Sequence, residues 1–268
     1  MNNEIMFVIC AYKEIHFLED CVKSLLNQTI KCKIIISTST PNKYIEDVAR
    51  KYDIPLRINP EKKGNYSDFC FAYAQADTKY VALCHQDDEY LPNFAETMLK
   101  YLKKAKQPIM AFSNYYDRKN DEIIKNSSLL KTKRIMNYLL SLKIFQNSKF
   151  IRNRILSFGN PICAPTVTYN KDIVKQPVED CPLPTCHDWY SWIELAKLKG
   201  AFIYIKEPLL IRRIHEQSTM TEVIENDEKS ISDFEIYKKF WPEPIAKLIL
   251  KIYNKSEKSN EIDTKKGK

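Results

Sequence analysis

Glycine is scarce in this sequence: only 4 of its 268 residues are glycine, and none precedes Gly64. Loops that cradle a nucleoside triphosphate after a first strand are rich in glycine, because their backbone must approach the phosphates closely. The sequence therefore argues against a loop of that kind near its start. Collagen-like repeats, which need glycine at every third position, are excluded as well.

Long apolar runs are also missing. No run approaches the roughly 18 residues that a membrane-spanning helix needs. The polar start, Asn2-Asn3-Glu4, does not resemble a signal peptide. We therefore expect a cytoplasmic protein.

The eight cysteines are irregularly spaced, which favours reduced, buried thiols over a disulfide framework. Cys181, Cys186 and His187 form the only tight group of soft-metal ligands, and no second pair accompanies them. A zinc site is therefore not predicted. Hydrophobic residues make up 44% of the chain, which indicates a globular protein.

Short apolar runs alternate with helix-like segments over the first 113 residues. Strands are predicted at Ile5–Cys10, Ile34–Ile36, Leu56–Ile58, Tyr80–Cys84 and Ile109–Phe112. Each pair is separated by a segment of helical periodicity. This pattern predicts an α/β fold with an open, mostly parallel sheet. Ligands of such sheets collect beyond the carboxyl ends of the strands, where Tyr12, the loop 37–40 and Asp87-Asp88 lie.

The most informative stretch runs from Tyr80 to Pro92. A strand ends here at His85-Gln86-Asp87-Asp88-Glu89. Adjacent carboxylates repel each other unless a cation lies between them, and Mg²⁺ or Mn²⁺ is the natural partner. The alternative is a solvated acidic turn that caps the next helix, with Pro92 at its first position.

Residues 118–158 form a predicted basic amphipathic helical insertion. Between Arg118 and Arg154 there are ten Lys or Arg residues, two acids and many aliphatic and aromatic residues. Two interpretations stay open: a pair of surface helices packed on the sheet, or attachment to an anionic membrane surface or a lipid-linked acceptor. Nucleic-acid binding is not predicted. We expect helices over 221–254 and a disordered tail over 255–268.

Three features follow the insertion. Gly159-Asn160-Pro161 predicts a turn, and Asp188-Trp189 opens a helix-like segment, where Asp188 is either a functional group or a capping residue. In the extended segment that ends near residue 215, Arg213 and His215 lie on one side, where they could hold a phosphate.

Five motifs occur in the same order as in a known family. They are Cys10-Ala11-Tyr12-Lys13-Glu14 after the first strand, Ser24-Leu25-Leu26-Asn27-Gln28-Thr29 at a helix end, His85–Pro92, Asp188-Trp189, and Arg213-Ile214-His215. Residues 4–220 in this respect resemble the inverting GT-A glycosyltransferases of family 2. The resemblance implies a GT-A, Rossmann-like domain over 1–220 that carries the insertion 118–158.

The resemblance also implies roles for particular residues. The metal, Mn²⁺ or Mg²⁺, is expected on Asp88 with Asp87 nearby, and Asp188 is expected to be the general base. The nucleotide is expected to contact Ala11, Tyr12, Glu14, Ser37, Thr38, His85 and Gln86. The phosphates are expected to meet Arg213 and His215, and the acceptor is expected near Trp189 and Asn160.

The sequence departs from the family pattern at two places. His85 replaces the first acid of the metal motif, so direct coordination should fall on Asp88, with Asp87 nearer the ribose or sugar of the donor. Ser37-Thr38-Ser39-Thr40 replaces an acidic loop that reads the nucleotide base. UDP or dTDP is the expected donor nucleotide, because Tyr12 can stack on a pyrimidine.

The resemblance predicts sugar transfer from a nucleotide-diphosphate sugar to a hydroxyl of a glycan or lipid-linked glycan, in capsule or O-antigen synthesis. It places the enzyme in the cytoplasm or at the inner face of the cell membrane. Two alternatives remain: a catalytically silent module that binds a sugar nucleotide or a glycan, and a nucleotidyltransferase.

Overall fold

The structure is a computed structural model, and it describes residues 2–61, 64–178, 180–215 and 228–257. The strands are β1 Asn2–Ala11, β2 Cys32–Thr38, β3 Leu56–Ile58, β4 Tyr80–His85, β5 Glu89–Tyr90, β6 Pro108–Lys119, β7 Glu122–Ile124, β8 Thr168–Asn170 and β9 Ala201–Ile214. The helices are α1 Leu18–Leu26, α2 Lys43–Lys51, α3 Asn65–Ala74, α4 Phe94–Lys104, α5 Ser128–Asn137, α6 Lys143–Gln146, α7 Lys149–Leu156, α8 His187–Leu195, α9 Glu228–Lys238 and α10 Glu243–Glu257. Short 3-10 helices cover Tyr138–Ser141 and Ala164–Thr166.

One mixed sheet organises the chain in the order β3-β2-β1-β4-β8-β6-β9-β5, with β7 paired to β6. The first four strands in this order are parallel, as the alternating pattern predicts. β8 runs antiparallel to both β4 and β6, and β9 is parallel to β6. The α/β fold class is therefore confirmed, with a sheet whose second half is mixed.

The core lies on both faces of the sheet, which is why β1 is apolar from Ile5 to Ala11. Ile5, Phe7 and Ile9 face one cluster with α1, α2 and α4. Met6 and Val8 face the other cluster, with α3, α7, α8 and α9. A strand buried on both sides cannot alternate polar with apolar residues, so a continuous run such as Ile5–Ala11 is what this position requires.

The residues before α2 and α4 set the starts of these helices. α2 is capped by Asn42, whose side chain accepts from the backbone N of Ile45 over 3.0 Å, and Pro41 lies just before this cap. α4 begins at Phe94, not at Pro92. The reason is β5, which pairs antiparallel with β9 and keeps the chain extended after the acids.

The insertion 118–158 is only partly helical, contrary to prediction. Its first residues continue β6 and form a hairpin with β7, in which Asp117 lies opposite Ile124. Helix begins only at Ser128, whose neighbour Ser127 caps α5 by accepting from the backbone N of Leu130. The predicted C-terminal helices are present as α9 and α10, and α10 extends past residue 254 to Glu257. Residues 221–227 and the predicted tail from residue 258 onward lie outside the described residues.

Candidate functional site

The predicted acidic turn is a tight connection between β4 and β5 at the carboxyl edge of the parallel strands. One potential ligand atom each from His85, Asp87 and Asp88 lies within 4.8 Å of the others. Among the described residues this is the one such group of three His, Cys, Asp or Glu side chains. Two carboxylates and an imidazole suit Mn²⁺ or Mg²⁺ in combination with phosphate oxygens and water.

The two carboxylates lie in different environments. Asp88 is 2% exposed, and its Oδ1 accepts from the backbone N of Arg213 over 2.9 Å. Burial, reinforced by the charge of Asp87, raises the pKa of Asp88 well above its usual range. Asp87 is more open, with 22% of its side chain exposed, and its Oδ2 lies 3.0 Å from Nε2 of His215. Burial opposes ionisation of Asp87, but the bond to His215 and the nearby imidazoles outweigh it and lower its pKa.

His85 interacts electrostatically with the acidic turn and with Asp188, the predicted general base. Burial lowers the pKa of its imidazole, against the opposing charges of Asp87 and Asp188. A depressed pKa keeps the ring neutral near pH 7, and only the neutral ring can bind a metal. The charges of Asp87 and Asp188 both act on His85, so the metal motif and the predicted base are near enough to interact electrostatically.

Arg213 holds the acidic turn in place. Its Nε donates to the backbone O of Asp87 over 3.1 Å, and its Nη2 donates to Oε1 of Glu89 over 2.9 Å. The guanidinium also lies 4.0 Å from the ring centroid of Phe17. Only 10% of this side chain is exposed. Arg213, which was expected to contact phosphate, directs its Nε and Nη2 donors to the turn, whereas His215 faces Asp87.

The ion pair between Arg212 and Asp117 was not predicted from the sequence. Arg212 points to the opposite side of β9 from Arg213, and its Nε donates to Oδ1 of Asp117 over 2.8 Å. Asp117 is 4% exposed, and the two residues are direct neighbours across β6 and β9. The alternation along β9 predicts that Arg212 faces away from Arg213, but only the β6–β9 register reveals its partner.

Tyr12 stands at the end of β1 with 46% of the residue exposed. The side chain of Gln86 makes two hydrogen bonds to the backbone of Tyr12. Its Oε1 accepts from the backbone N of Tyr12 over 3.2 Å, and its Nε2 donates to the backbone O over 2.7 Å. Both ends of the Gln86 amide are thus used on the chain itself. Gln86 was expected to contact the nucleotide, and the geometry makes it a residue that positions Tyr12.

The other residues expected at the nucleotide lie at the same edge. Ala11, Ser37 and Thr38 are buried, and Glu14 is exposed. Ala11 is paired with Thr38 across β1 and β2, and the backbone N of Lys13 donates to Oγ1 of Thr40 over 2.6 Å. The two loops that follow β1 and β2 are therefore tied together.

One carboxylate at this edge was not predicted from the sequence. Asp68, in the first turn of α3, accepts from Oγ of Ser39 over 2.7 Å and from Nδ2 of Asn59 over 2.9 Å. Ser39 and Asn59 are both buried, with 4% and 3% exposed. Nothing in the α3 pattern distinguishes Asp68 from an ordinary acid in a first helical turn, where acids are common.

Asp188 lies in the first turn of α8, as predicted. Its Oδ2 accepts from Nδ2 of Asn160 over 2.8 Å, and its Oδ1 accepts from the backbone N of Trp189 over 2.7 Å. Cys186, which precedes the helix, has a positive φ of 69°. Asn160, expected near the acceptor, lies in the turn after α7 and holds the Asp188 carboxylate.

Trp189 does not face the acceptor side, contrary to expectation. It is 1% exposed, and its Nε1 donates to the backbone O of Leu156 over 3.1 Å. Its ring packs against Tyr237 and Tyr253, with centroids 5.1 and 6.0 Å away. The apolar face of α8 directs Trp189 into the core, so this residue anchors the helix that carries Asp188.

The eight cysteines all lie in the described part of the chain, and none forms a disulfide. The Sγ of Cys186 donates to Oδ1 of Asp233 on α9 over 2.9 Å. Burial raises the pKa of the Cys186 thiol well above its usual range. Five of the eight thiols are buried, and the other three are partly exposed.

Residues 6–173 match the family model described as Glycosyl transferase family 2. The chain is also 24% identical over 229 residues to an uncharacterized glycosyltransferase of Haemophilus influenzae, a match that covers 80% of this chain and 67% of that protein.

Solved structures share the fold. TarS 1-349 of S. aureus in complex with UDP-GlcNAc has a TM-score of 0.59 and 13% identity, covering 96% of this chain and 73% of that one. The mannosyltransferase PcManGT of Pyrobaculum calidifontis, in complex with GDP-Man and Mn²⁺, has a TM-score of 0.61 and 12% identity, covering 96% of this chain and 70% of that one. Both similarities concern the fold.

Proposed function

This chain belongs to glycosyl transferase family 2 and is a sugar-transferring enzyme, and from this premise we propose that it performs a metal-dependent, inverting transfer from a nucleotide-diphosphate sugar to a hydroxyl group. The observation that carries the proposal is the arrangement of His85, Asp87 and Asp88 at the carboxyl edge of the sheet, within reach of the charge of Asp188. An inverting transfer needs a site for the departing diphosphate and a base for the attacking hydroxyl within one crevice. This arrangement supplies candidates for both.

The metal is proposed at His85, Asp87 and Asp88. The donor set fits a divalent cation, because two adjacent acids and a neutral imidazole converge there. When bound, Mn²⁺ or Mg²⁺ neutralises charge on the leaving diphosphate. Asp87 is the more accessible carboxylate, whereas Asp88 is buried and accepts from Arg213. We therefore propose that Asp87 would be the main carboxylate ligand and that Asp88 would contribute less, whereas the sequence placed direct coordination on Asp88.

Asp188 is proposed as the general base. Asn160 and the backbone N of Trp189 each donate to one of its oxygens, so its orientation is fixed while further lone pairs stay available. The carboxylate takes the proton of the acceptor hydroxyl as that oxygen attacks the anomeric carbon from the face opposite the leaving group. The configuration at that carbon is inverted as a result.

The donor nucleotide is proposed to lie along the ends of β1, β2 and β4. The exposed ring of Tyr12 offers a stacking surface, held in place by Gln86. Both UDP and dTDP carry a pyrimidine that fits such a surface. The complexes of TarS with UDP-GlcNAc and of PcManGT with GDP-Man and Mn²⁺ support a nucleotide-sugar donor without deciding between the bases.

The acceptor is proposed to be a glycan or a lipid-linked glycan of capsule or O-antigen synthesis, reached from the inner face of the cell membrane. Support comes from a basic apolar surface. Of the sixteen large apolar side chains that are exposed in the described part of the chain, ten lie within 135–158 or 231–252. Residues 125–158 contain no acid. None of the described helices is long and apolar enough to cross a membrane.

The two parts of this surface touch each other. The rings of Phe158 and Trp241 lie 5.4 Å apart between centroids, and the guanidinium of Arg154 lies 5.0 Å from the Trp241 ring. On α10, Ile245, Leu248 and Ile252 are exposed, and the spacing of three and four residues puts them on one side of the helix. Exposed apolar side chains beside the basic segment 125–158 are suited to an anionic lipid surface.

Thermal unfolding with and without nucleotide tests the proposal. UDP, dTDP, GDP and CMP are each added to the full chain with and without Mn²⁺, since a ligand that binds only the folded state raises the midpoint. We expect a Mn²⁺-dependent rise with a nucleoside diphosphate. No rise with any of the four would contradict the proposed donor site and favour a silent glycan-binding module. Hydrolysis of the sugar nucleotide that needs both Mn²⁺ and Asp188 distinguishes an enzyme from a binder of the donor.

A further inference from the structure

Asp68 places a carboxylate at the loop that follows β2, although it belongs to a different element. Its Oδ2 accepts from Oγ of Ser39, and its Oδ1 accepts from Nδ2 of Asn59. Asn59 is itself bound to the same loop, because its backbone N donates to the backbone O of Thr38 over 2.8 Å. The position of this carboxylate is therefore set by buried neighbours from β2 and β3.

The same loop leads directly to Tyr12. Thr40 Oγ1 accepts from the backbone N of Lys13, and Thr40 is next to Ser39. Asp68 also lies close enough to the end of β1 for its charge to contribute to the raised pKa of Cys10. An exposed aromatic ring and a part-buried carboxylate are thus connected through the loops that follow β1 and β2, where a base stacked on the ring would turn its edge to polar groups.

We propose that Asp68 determines which base the donor carries, by accepting a hydrogen bond from the ring N–H of uracil, thymine or guanine. This inference rests on the proposed donor site. An ionised carboxylate is an acceptor only and has about four lone-pair positions, of which Ser39 and Asn59 use two. It can therefore take a further N–H without releasing either partner.

The same chemistry works against cytosine and adenine. At the position where uracil and guanine carry a ring N–H, cytosine and adenine carry a nitrogen lone pair. This lone pair would face the carboxylate of Asp68, which is also a hydrogen-bond acceptor. The base nitrogen and the carboxylate would both lose water without gaining a hydrogen bond. A site that forms a hydrogen bond to a polar group of its ligand strongly rejects an analogue that lacks this group. An apolar site discriminates much less between ligands that differ only in size.

Matched pairs of nucleotides test this selectivity. Binding of UDP and CDP, and of GDP and ADP, is measured by calorimetry with Mn²⁺ on the full chain and on Asp68→Asn. The chain should favour UDP over CDP by at least about tenfold, the discrimination expected of a good edge contact. Asp68→Asn should narrow or reverse this ratio, because an amide can turn its NH₂ toward the lone pair of cytosine.

Two control variants separate recognition from packing. Asp77→Asn makes the same charge change beyond α3, at an exposed acid that pairs with Lys33, and it should leave the ratio unchanged. Ser39→Ala removes one internal bond but keeps the carboxylate, so the preference for UDP should persist. The unfolding midpoint of each variant without nucleotide shows whether it is folded.

The outcomes are distinct. If folded Asp68→Asn keeps the UDP-to-CDP ratio of the parent, Asp68 only braces the loop and this inference is overturned, while the proposed donor site stands. If the parent prefers CDP, the inference is overturned as well. If the parent binds none of the four diphosphates, the proposed donor site fails and the inference fails with it.

Discussion

The amide of Asn160 donates to the carboxylate of Asp188 over 2.8 Å and joins the turn after α7 to the first turn of α8. Asp188 would otherwise serve its own helix alone, as a first-turn acid bound to the backbone N of Trp189. With both contacts, each oxygen has one fixed donor. The carboxylate is thereby oriented before any acceptor arrives, which is what a general base requires.

The first prediction is that Asp188→Asn retains donor binding and loses transfer. An amide of the same shape keeps the contact with the backbone N of Trp189 but cannot take a proton. General-base catalysis typically contributes 10² to 10⁴-fold, so kcat should fall by about that factor. Steady-state transfer and calorimetric donor binding are the two measurements.

A suitable control for this variant is Glu194→Gln, which removes an acid from the same helix. Glu194 pairs with Lys197 at the exposed end of α8. Its loss should leave kcat within about twofold, because exposed ion pairs contribute little to stability or to geometry elsewhere. Transfer by Asp188→Asn at the rate of the parent would remove Asp188 from the mechanism.

The second prediction concerns the metal. Asp87→Asn should abolish the part of the UDP-induced rise in unfolding midpoint that depends on Mn²⁺. Asp88→Asn should reduce it less, because Asp88 is buried and its amide equivalent still accepts from Arg213. A nucleotide at 100 times its dissociation constant stabilises the fold by about 2.7 kcal/mol, so the effect is measurable.

Asp172→Asn is the matched control, since Asp172 pairs with Lys79 at an exposed position. This variant should show the same Mn²⁺-dependent rise as the parent. A full rise in Asp87→Asn would move the metal away from this turn. A full loss in Asp88→Asn with none in Asp87→Asn would restore the assignment expected from the sequence.

The third prediction is that Gln86→Ala weakens donor binding while kcat changes little. The variant removes two hydrogen bonds to the backbone of Tyr12, each with a net contribution of about 0.5–1.5 kcal/mol. The ring of Tyr12 then loses its fixed position, and the KM for the donor should rise about tenfold. Gln75→Ala, at the end of α3, should leave KM unchanged. An unaltered KM in Gln86→Ala would show that these two hydrogen bonds do not contribute to donor binding.

Local pattern was enough to predict the parallel half of the sheet. The run Ile5–Cys10 is apolar at every position, and only a strand covered on both faces requires that. The motif residues Asp87, Asp88 and Asp188 then follow as strand-end and helix-start residues. Their positions depend on neighbours in sequence, and the structure confirms the elements that carry them.

Features that depend on pairing between distant segments were not predictable. The two-residue strand β5 exists because Glu89 and Tyr90 meet Ile211 and Leu210 of β9, so Pro92 does not open the following helix. Asp117 needs Arg212 across β6 and β9 to be recognised as half of an ion pair. Asp68 likewise resembles any first-turn acid until Ser39 is placed beside it.

The fourth prediction is a pH dependence of stability that arises from His85. Burial lowers the pKa of its imidazole in the folded chain, whereas in the unfolded chain it is about 6.5. Below pH 6.5 the unfolded state binds the proton more readily, so stability falls as pH falls, until the folded-state pKa is reached. Above pH 6.5 this contribution is complete and constant.

Urea unfolding of the metal-free protein between pH 5 and 8 measures this contribution. His85→Gln should flatten the part of the slope below pH 6.5, because the proton-binding group is gone. His16→Gln, which changes a histidine in the loop before α1, should keep the slope of the parent. An unchanged slope in His85→Gln would assign the acid sensitivity to other groups.

The last prediction concerns the basic apolar surface. Vesicles that contain phosphatidylglycerol should bind the full chain, and vesicles of phosphatidylcholine alone should bind it weakly. Cations near an anionic surface contribute about 1 kcal/mol each, and exposed Ile245, Leu248 and Ile252 add apolar contact. The double substitution Leu248→Asn and Ile252→Asn should reduce cosedimentation with the anionic vesicles severalfold.

Leu26→Asn on α1, where the exposed fraction of Leu26 is 47%, is the control and should bind like the parent. Equal binding by the double variant would remove α10 from the contact. No binding by the parent would leave this surface as ordinary helix packing, the alternative interpretation of residues 118–158, because charge and exposed apolar area would then have no lipid partner.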